Sequence, residues 1–207
     1  MIGWNNIILT DSGGFQGWSI PNKFNDDGIE FKNIYDGSKF FMDPTLSMDI
    51  QQTLNSDIAM ILDSLIDINK EYDEQLNAIQ TTKNWALKAR EHHSNSNQSL
   101  FGIVQGGKHK ELREKSAIDM LSLDFNGYAI GGLAIGETQQ ERKEIVDFTV
   151  EMLPQDKLRY VMGLGDIEGM LDLIELGVDI FDCVWPARLA RHCLLYTSDA
   201  ADEADGG

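Results

Sequence analysis

Tyr128-Ala129-Ile130-Gly131-Gly132, then Ile145, Phe148 and Met152, then Leu158-Arg159-Tyr160-Val161-Met162 form the stretch that decides the fold. It holds a short apolar run, a segment whose apolar residues step by three and four, and a second apolar run. The outer pieces fit buried strands and the middle one fits a helix with one apolar face. The connection is too long for a hairpin, so the strands are expected to lie parallel with a helical crossover. The same rhythm extends outward. Ile7–Thr10, Asp57–Leu62, Leu100–Gln105 and Asp179–Val184 are further candidate strands. Tyr72, Leu76 and Ile79 step by four and three, and Met170, Leu171 and Ile174 mark a helix after Gly165-Asp166. Asp43-Pro44 opens a helix running to Asn55, because proline is tolerated in the first turn. Repeated β-then-α units give either an open doubly wound sheet or a (β/α) barrel. A complete barrel takes about 250 residues, so a 207-residue chain would be an incomplete one. Trp18 to Phe41 breaks the rhythm and reads as an inserted β-rich loop.

Composition sets outer limits. Hydrophobic residues at 42% and aromatics at 9% are values of a globular chain. No apolar run reaches the roughly 18 residues of a membrane span, and Met1-Ile2-Gly3-Trp4-Asn5-Asn6 has no signal-peptide character. A cytoplasmic location and no membrane partner are therefore expected. Cys183 and Cys193, the only cysteines, supply neither a disulfide framework nor a C-x-x-C metal site. The formal charge of −17 counts against a broad nucleic-acid-binding face. Any RNA contact must come from a local basic cluster, or from a part of the protein outside this chain.

Polar residues stand where the candidate strands end. Asp11 follows Ile-Ile-Leu-Thr, Asp63 follows Ala-Met-Ile-Leu, Gln105 follows Phe-Gly-Ile-Val, and Gly131-Gly132 follows Tyr-Ala-Ile; Asp182 lies within Ile-Phe-Asp-Cys-Val. In parallel α/β folds the carboxyl ends of the strands carry the active site. Each residue alone also suits a helix cap; five on one rim point to a site. Asp11-Ser12-Gly13-Gly14-Phe15-Gln16 is neither a P-loop nor G-x-G-x-x-G, and reads equally as a tight turn or as a close backbone approach to a ligand.

Thr10-Asp-Ser-Gly-Gly-Phe-Gln16 resembles the signature of tRNA-guanine transglycosylases. Four further stretches agree in order: Phe101–Gly107, Ile130–Glu137, Arg159–Gly163 and Val178–Arg191. The similarity covers Ile2 to about His192. It implies replacement of the wobble guanine of a tRNA by an aminomethyl-deazaguanine, through a covalent enzyme–ribose intermediate. Asp182 matches the nucleophile and Asp11 the proton acceptor. Ser12, Gly13, Gly14, Phe15, Asp63, Gln105, Gly131, Gly132, Leu133, Ala134, Glu137 and Met162 match the substrate pocket. Within it Asp63 accepts from the guanine ring N–H and amine, while Gln105 and the Gly132 N–H donate. Phe15 and Met162 sandwich the flipped base. The Leu133-Ala134 peptide, supported by Glu137, meets the side group of the incoming base. Gly163, Leu164, Gly165, Asp166, Ile167, Glu168 and Gly169 match one RNA-contacting segment. Ala187, Arg188, Leu189, Ala190 and Arg191 match another, whose arginines read flanking uridines.

The resemblance further implies that the chain starts past the first barrel strands and stops before a cysteine-rich zinc subdomain. Zinc is thus expected in the full-length protein with its ligands absent from this chain, and no organic cofactor is expected. A homodimer is expected for the full-length protein, and an aggregation-prone, inactive fragment for this one. Ser64-Leu65 stands where the bacterial pattern has Glu-Cys, and Ala187 where it has threonine. Bulky Ile135 favours the small aminomethyl precursor over whole queuine. The alternative is a non-catalytic tRNA-binding subunit of a heterodimer, in which loss of the nucleophile would be expected. An unrelated phosphosugar barrel would need a phosphate cradle that the sequence does not reach. Residues 194–207, ending in Asp-Ala-Ala-Asp-Glu-Ala-Asp-Gly-Gly, read as a non-native or disordered acidic tail, leaving 1–193 as a partial barrel domain.

Overall fold

The computed structural model describes residues 4–191 except 21, 34 and 134, with the side chains of Trp18 and Asn22 also left aside. Ala134, His192, Cys193 and the tail 194–207 thus lie outside the described residues. In chain order the elements are β1 (Leu9–Thr10), α1 (Gly14–Ser19), β2 (Asn22–Asn25), β3 (Gly28–Lys32), β4 (Lys39–Met42), α2 (Pro44–Leu54), β5 (Ile58–Met60) and α3 (Tyr72–His92). They continue as β6 (Ser99–Val104), α4 (Lys110–Leu121), β7 (Gly127–Ile130), α5 (Gln139–Met152), β8 (Leu158–Val161), α6 (Ile167–Glu175), β9 (Ile180–Phe181) and α7 (Trp185–Arg191).

Six strands pair in the order β1-β5-β6-β7-β8-β9, every pair parallel. The sheet curls into part of an incomplete TIM-type barrel, so that aspartates at the ends of its two outer strands lie within each other's field. From β6 to β9 the register is continuous: Val104 faces Ile130, Ile130 faces Val161, and Val161 faces Phe181. β7 is buried throughout and β6 nearly so. Both faces of these central strands are covered, as expected where crossover helices pack outside and side chains fill the inside. The main core includes Ile103, Val104, Ala129, Ile130, Val146 and Val161.

Three of the helices, α2, α5 and α6, start on a side-chain cap. Asp43 accepts from the Leu46 N–H at 2.8 Å with Pro44 in the first turn, and Asn55 closes α2 in the left-handed conformation (φ 53°). α5 opens on a reciprocal Thr138–Glu141 capping box, and α6 on the Asp166 carboxylate accepting from Gly169 N–H at 2.7 Å. β1 is shorter than the expected Ile7–Thr10. Beside Met60, Gln51 of α2 does the work of a strand neighbour. Its amide donates to the Met60 carbonyl and accepts from the Met60 N–H, both at 2.9 Å.

The expected insertion is a separate antiparallel sheet, β2-β3-β4. It docks on α3 through a second small core of Ile29, Leu62 and Trp85. Phe24 stacks on Trp85, whose indole N–H donates to Asp26 at 2.8 Å. Among the described residues no helix is long and apolar enough to cross a membrane.

Candidate active site

Each parallel strand delivers a polar or ligand-approachable group at its carboxyl end. Gln105, Gly131, Met162 and Asp182 are the residues immediately after β6, β7, β8 and β9, and the register of those strands puts them in one row. Asp11 follows β1 directly, and Asp63 follows β5 after Ile61 and Leu62.

The floor is built around Asp63, which is 5% exposed. Gln105, 4% exposed, donates its side-chain N–H to Asp63 Oδ2 at 2.6 Å. Gly14 backs the same carboxylate, and a Cβ there would run into Asp63 Oδ1. Gly131 and Gly132 lie against the Gln105 amide, where a Cβ would come within 2.6 Å of Nε2 or Oε1 respectively. Gly132 also holds φ at +69°, a conformation that L side chains rarely adopt. Burial pushes the Asp63 carboxyl up to about 7; the charge of Asp11 adds to the rise and the Gln105 bond opposes it.

The Thr10–Gln16 loop is a turn and a close approach at once. Gly13 turns in the left-handed region (φ 93°), α1 starts at Gly14, and the buried Ser12 accepts from Ser47 Oγ through its carbonyl at 3.0 Å. Asp11 keeps contact with solvent although protein encloses most of its carboxyl. That enclosure raises its carboxyl above the usual range. The Ser12 backbone N–H pulls it partly back, and the negative charge of Asp182 raises it further.

Asp182 is exposed. Its Oδ1 accepts the Tyr160 hydroxyl at 2.6 Å and the Gly163 N–H at 2.7 Å. Both donors take the same oxygen, so the carboxylate is fixed in direction and Oδ2 keeps its lone pairs clear of them. Tyr160 is 3% exposed; burial, then the Asp182 bond and the charges of Asp182 and Asp11, push its phenol far up. Tyr160 thus feels both carboxylates, although they leave opposite edges of the sheet.

The remaining residues are distributed along the rim. Phe15 is half exposed on α1, and Met162 packs partly against the main core. Leu133 and Leu164 are buried. Ile135 packs partly buried against the core and gives its N–H to Glu137 Oε2 at 3.2 Å. Glu137 is closed from solvent and paired with Arg142 at 3.0 Å, and Arg142 reaches Asp166 at 3.4 Å. Gly163 and Gly165 turn between β8 and α6, and Ile167 and Glu168 are exposed on the first turn of α6. Gly165 has no room for a side chain beside Cys183. Arg188 and Arg191 sit exposed in the last turn of α7, on the same helix as exposed Ala187 and Ala190 and half-buried Leu189, and form no ion pair among the described residues. Among the described residues no cluster of three or more His, Cys, Asp or Glu is placed to hold a metal ion.

Two side chains bonded to the rim were not singled out by the sequence. Tyr160 looked like one more apolar strand residue. Arg113 on α4 is buried, and the signal was there: with Ser116, Ala117 and Met120 it occupies positions i, i+3, i+4 and i+7 of one face.

Taken together, the carboxyl ends of the strands carry a buried acceptor, Asp63, a second carboxylate, Asp11, that feels the charge of both others, and a third, Asp182, fixed by two donors. That set can recognise a planar donor-bearing base and attack a carbon joined to it. Comparison with known proteins bears on this. The family model described as Queuine tRNA-ribosyltransferase matches residues 1–204. A protein of that name from Thermotoga maritima is 47% identical over 192 residues, 92% of this chain and 52% of the relative. One from Bacillus licheniformis is 45% identical over 199 residues, 95% of this chain and 52% of the relative. One from Dictyoglomus turgidum is 44% identical over 202 residues, with 95% and 52% covered. The chain spans about half the length of the curated relatives it matches.

Proposed function

The chain belongs to the queuine tRNA-ribosyltransferase family, and from that premise we propose that it carries the base-exchange centre of a tRNA-guanine transglycosylase. The observation that carries the proposal is the pairing of a buried Asp63–Gln105 floor with an Asp182 fixed by two donors. Guanine offers two adjacent donors on its Watson–Crick edge, which an ionised Asp63 accepts. Its carbonyl side needs donors, which Gln105 and the Gly132 N–H supply. Phe15 and Met162 take the two faces of the flipped base and offset part of the few kcal/mol of unstacking.

Asp182 then attacks C1′ of the ribose. The new Oδ–C1′ bond forms as the C1′–N9 bond breaks, with the electron pair leaving on the base. In the second half the incoming deazaguanine displaces the aspartate, and Asp11 takes the proton shed by its ring nitrogen. A carboxyl raised by enclosure and by Asp182 is a better proton acceptor than a free aspartate. A non-catalytic tRNA-docking subunit would have no use for this arrangement at Asp182.

Ile135 occupies the loop that meets the side group, which supports the aminomethyl base over queuine. The exposed Arg188 and Arg191, with the loop from Gly163 to Gly169, give an acidic protein a local grip on RNA. A homodimer of the complete protein is part of the same proposal. The test is exchange of radiolabelled guanine in tRNA by the complete protein, with each free base competing. The aminomethyl base is expected to enter faster. Faster entry of queuine overturns the substrate assignment, and no exchange at all overturns the function.

A further inference from the structure

We infer that Arg113 is a positioning residue that aims the Gly132 N–H into the base pocket, an inference that rests on the functional reading above. Arg113 stands on α4, behind the rim, and is 1% exposed. Its Nε donates to the Gly107 carbonyl at 2.8 Å and its Nη2 to the Gly131 carbonyl at 3.1 Å. One guanidinium therefore fastens the backbone after β6 to the backbone after β7.

The second of these bonds has a directional consequence. The Gly131 carbonyl and the Gly132 N–H belong to the same peptide unit, which is planar and trans. Holding the carbonyl toward α4 turns the N–H to the opposite side, away from Arg113. The anchor is needed because the peptide lies between two glycines. Neither has a Cβ to resist rotation of the plane, and Gly132 already holds φ at +69°. Side chains at these two positions would stiffen the peptide, but each would collide with Gln105. Flexibility imposed by the pocket is thus offset by a bond from behind.

The chemistry of Arg113 suits alignment better than stability. A buried cation is a weak stabiliser. Burial lowers this guanidinium to about 10 while the charge of Glu137 works the other way, and Nη1 finds no hydrogen-bond partner among the described residues. The planar fork instead fixes two carbonyls at set angles, which a lysine ammonium cannot do.

The test is steady-state base exchange by the complete protein, comparing the unsubstituted enzyme with Arg113→Lys and Arg113→Met while base and tRNA are varied separately. Expected is a rise of about tenfold or more in KM for the free base, with KM for tRNA nearly unchanged. Guanidinium ion at sub-denaturing concentration should restore part of the base affinity to Arg113→Ala. Where the Met and Ala variants fail to fold, the Lys variant decides. Unchanged base KM in folded Arg113→Lys overturns the inference. So does a parallel loss in kcat and both KM values with a lowered melting temperature, which marks a structural role. No exchange by the unsubstituted enzyme sinks the functional reading and the inference with it, whereas normal exchange with an indifferent Lys variant sinks the inference alone.

Discussion

Asp63 and Asp182 are both aspartates at the carboxyl end of a parallel strand, and their surroundings are opposite. Asp63 is 5% exposed, bonded to a buried side-chain amide and backed by Gly14. Asp182 is exposed, leaves a two-residue edge strand, and precedes a helix with no buried residue. In the proposed reaction a free base is small enough to enter a walled floor, where a preorganised acceptor gains most from exclusion of water. On the same proposal the ribose of a folded tRNA cannot enter such a slot, so the group that attacks it stands at the open flank. The floor is held by packing. The flank is held by two hydrogen bonds to one oxygen. That contrast predicts different failures when each is altered.

Asp182→Ala should give the largest effect, a loss of exchange of at least about a thousandfold. No enzyme–tRNA adduct should survive on a denaturing gel, while free-base binding by calorimetry stays intact. A variant that still traps the adduct would move the nucleophile elsewhere. Asp63→Asn should show the reverse pattern, with KM for the free base up by about a hundredfold and tRNA binding spared.

The floor should also be the part that senses pH. Its carboxyl titrates near 7 in the folded protein, above the value of an unfolded aspartate. The folded state therefore holds a proton that the unfolded chain releases, and the group costs stability progressively as pH rises from about 4 to about 7. Relative to the unsubstituted protein, Asp63→Asn should gain melting temperature between pH 5 and pH 8. Base affinity should climb up to about pH 7 and then level off, since the ionised form binds the donors. A flat affinity profile would break the contrast.

Tyr160→Phe removes one of the two bonds on the flank. It should cost about 1.5 to 3 kcal/mol of transition-state stabilisation, roughly ten- to a hundredfold in kcat, with base KM unmoved in the same assay. The smallest effects belong to Arg188→Ala and Arg191→Ala, which should raise KM for tRNA a few-fold and flatten its salt dependence by about one unit per arginine.

Much of the frame was legible. Apolar runs found the six parallel strands because the central ones are buried on both faces, and Asp43, Pro44 and Asn55 marked both ends of α2. The edges were harder. β1 and β9 hold two residues each where longer strands were expected, because each pairs on one side only, and beyond β1 the Gln51 side chain takes over the bonding of Met60. α1 and α7 went unseen; α7 buries nothing, so it leaves no apolar period to detect. The rim residues were legible as strand ends, and their roles only through the family resemblance. The approach of Asp11 to Asp182 depends on the curl of the sheet, which no local pattern encodes. Arg113 left one trace, its place on the buried face of Ser116, Ala117 and Met120, which the charged neighbours Lys110, Glu111, Glu114 and Lys115 mask.

The central claim is that the first and last parallel strands bring Asp11 and Asp182 into one cavity. The most direct measurement is the titration of the Asp11 carboxyl by carbon-detected NMR, with and without Asp182→Asn. The account predicts that Asp11 titrates above a free aspartate and that its pKa falls when the Asp182 charge is removed. An Asp11 titration indifferent to Asp182→Asn would contradict it, because two carboxylates facing one ribose–base bond cannot ignore each other.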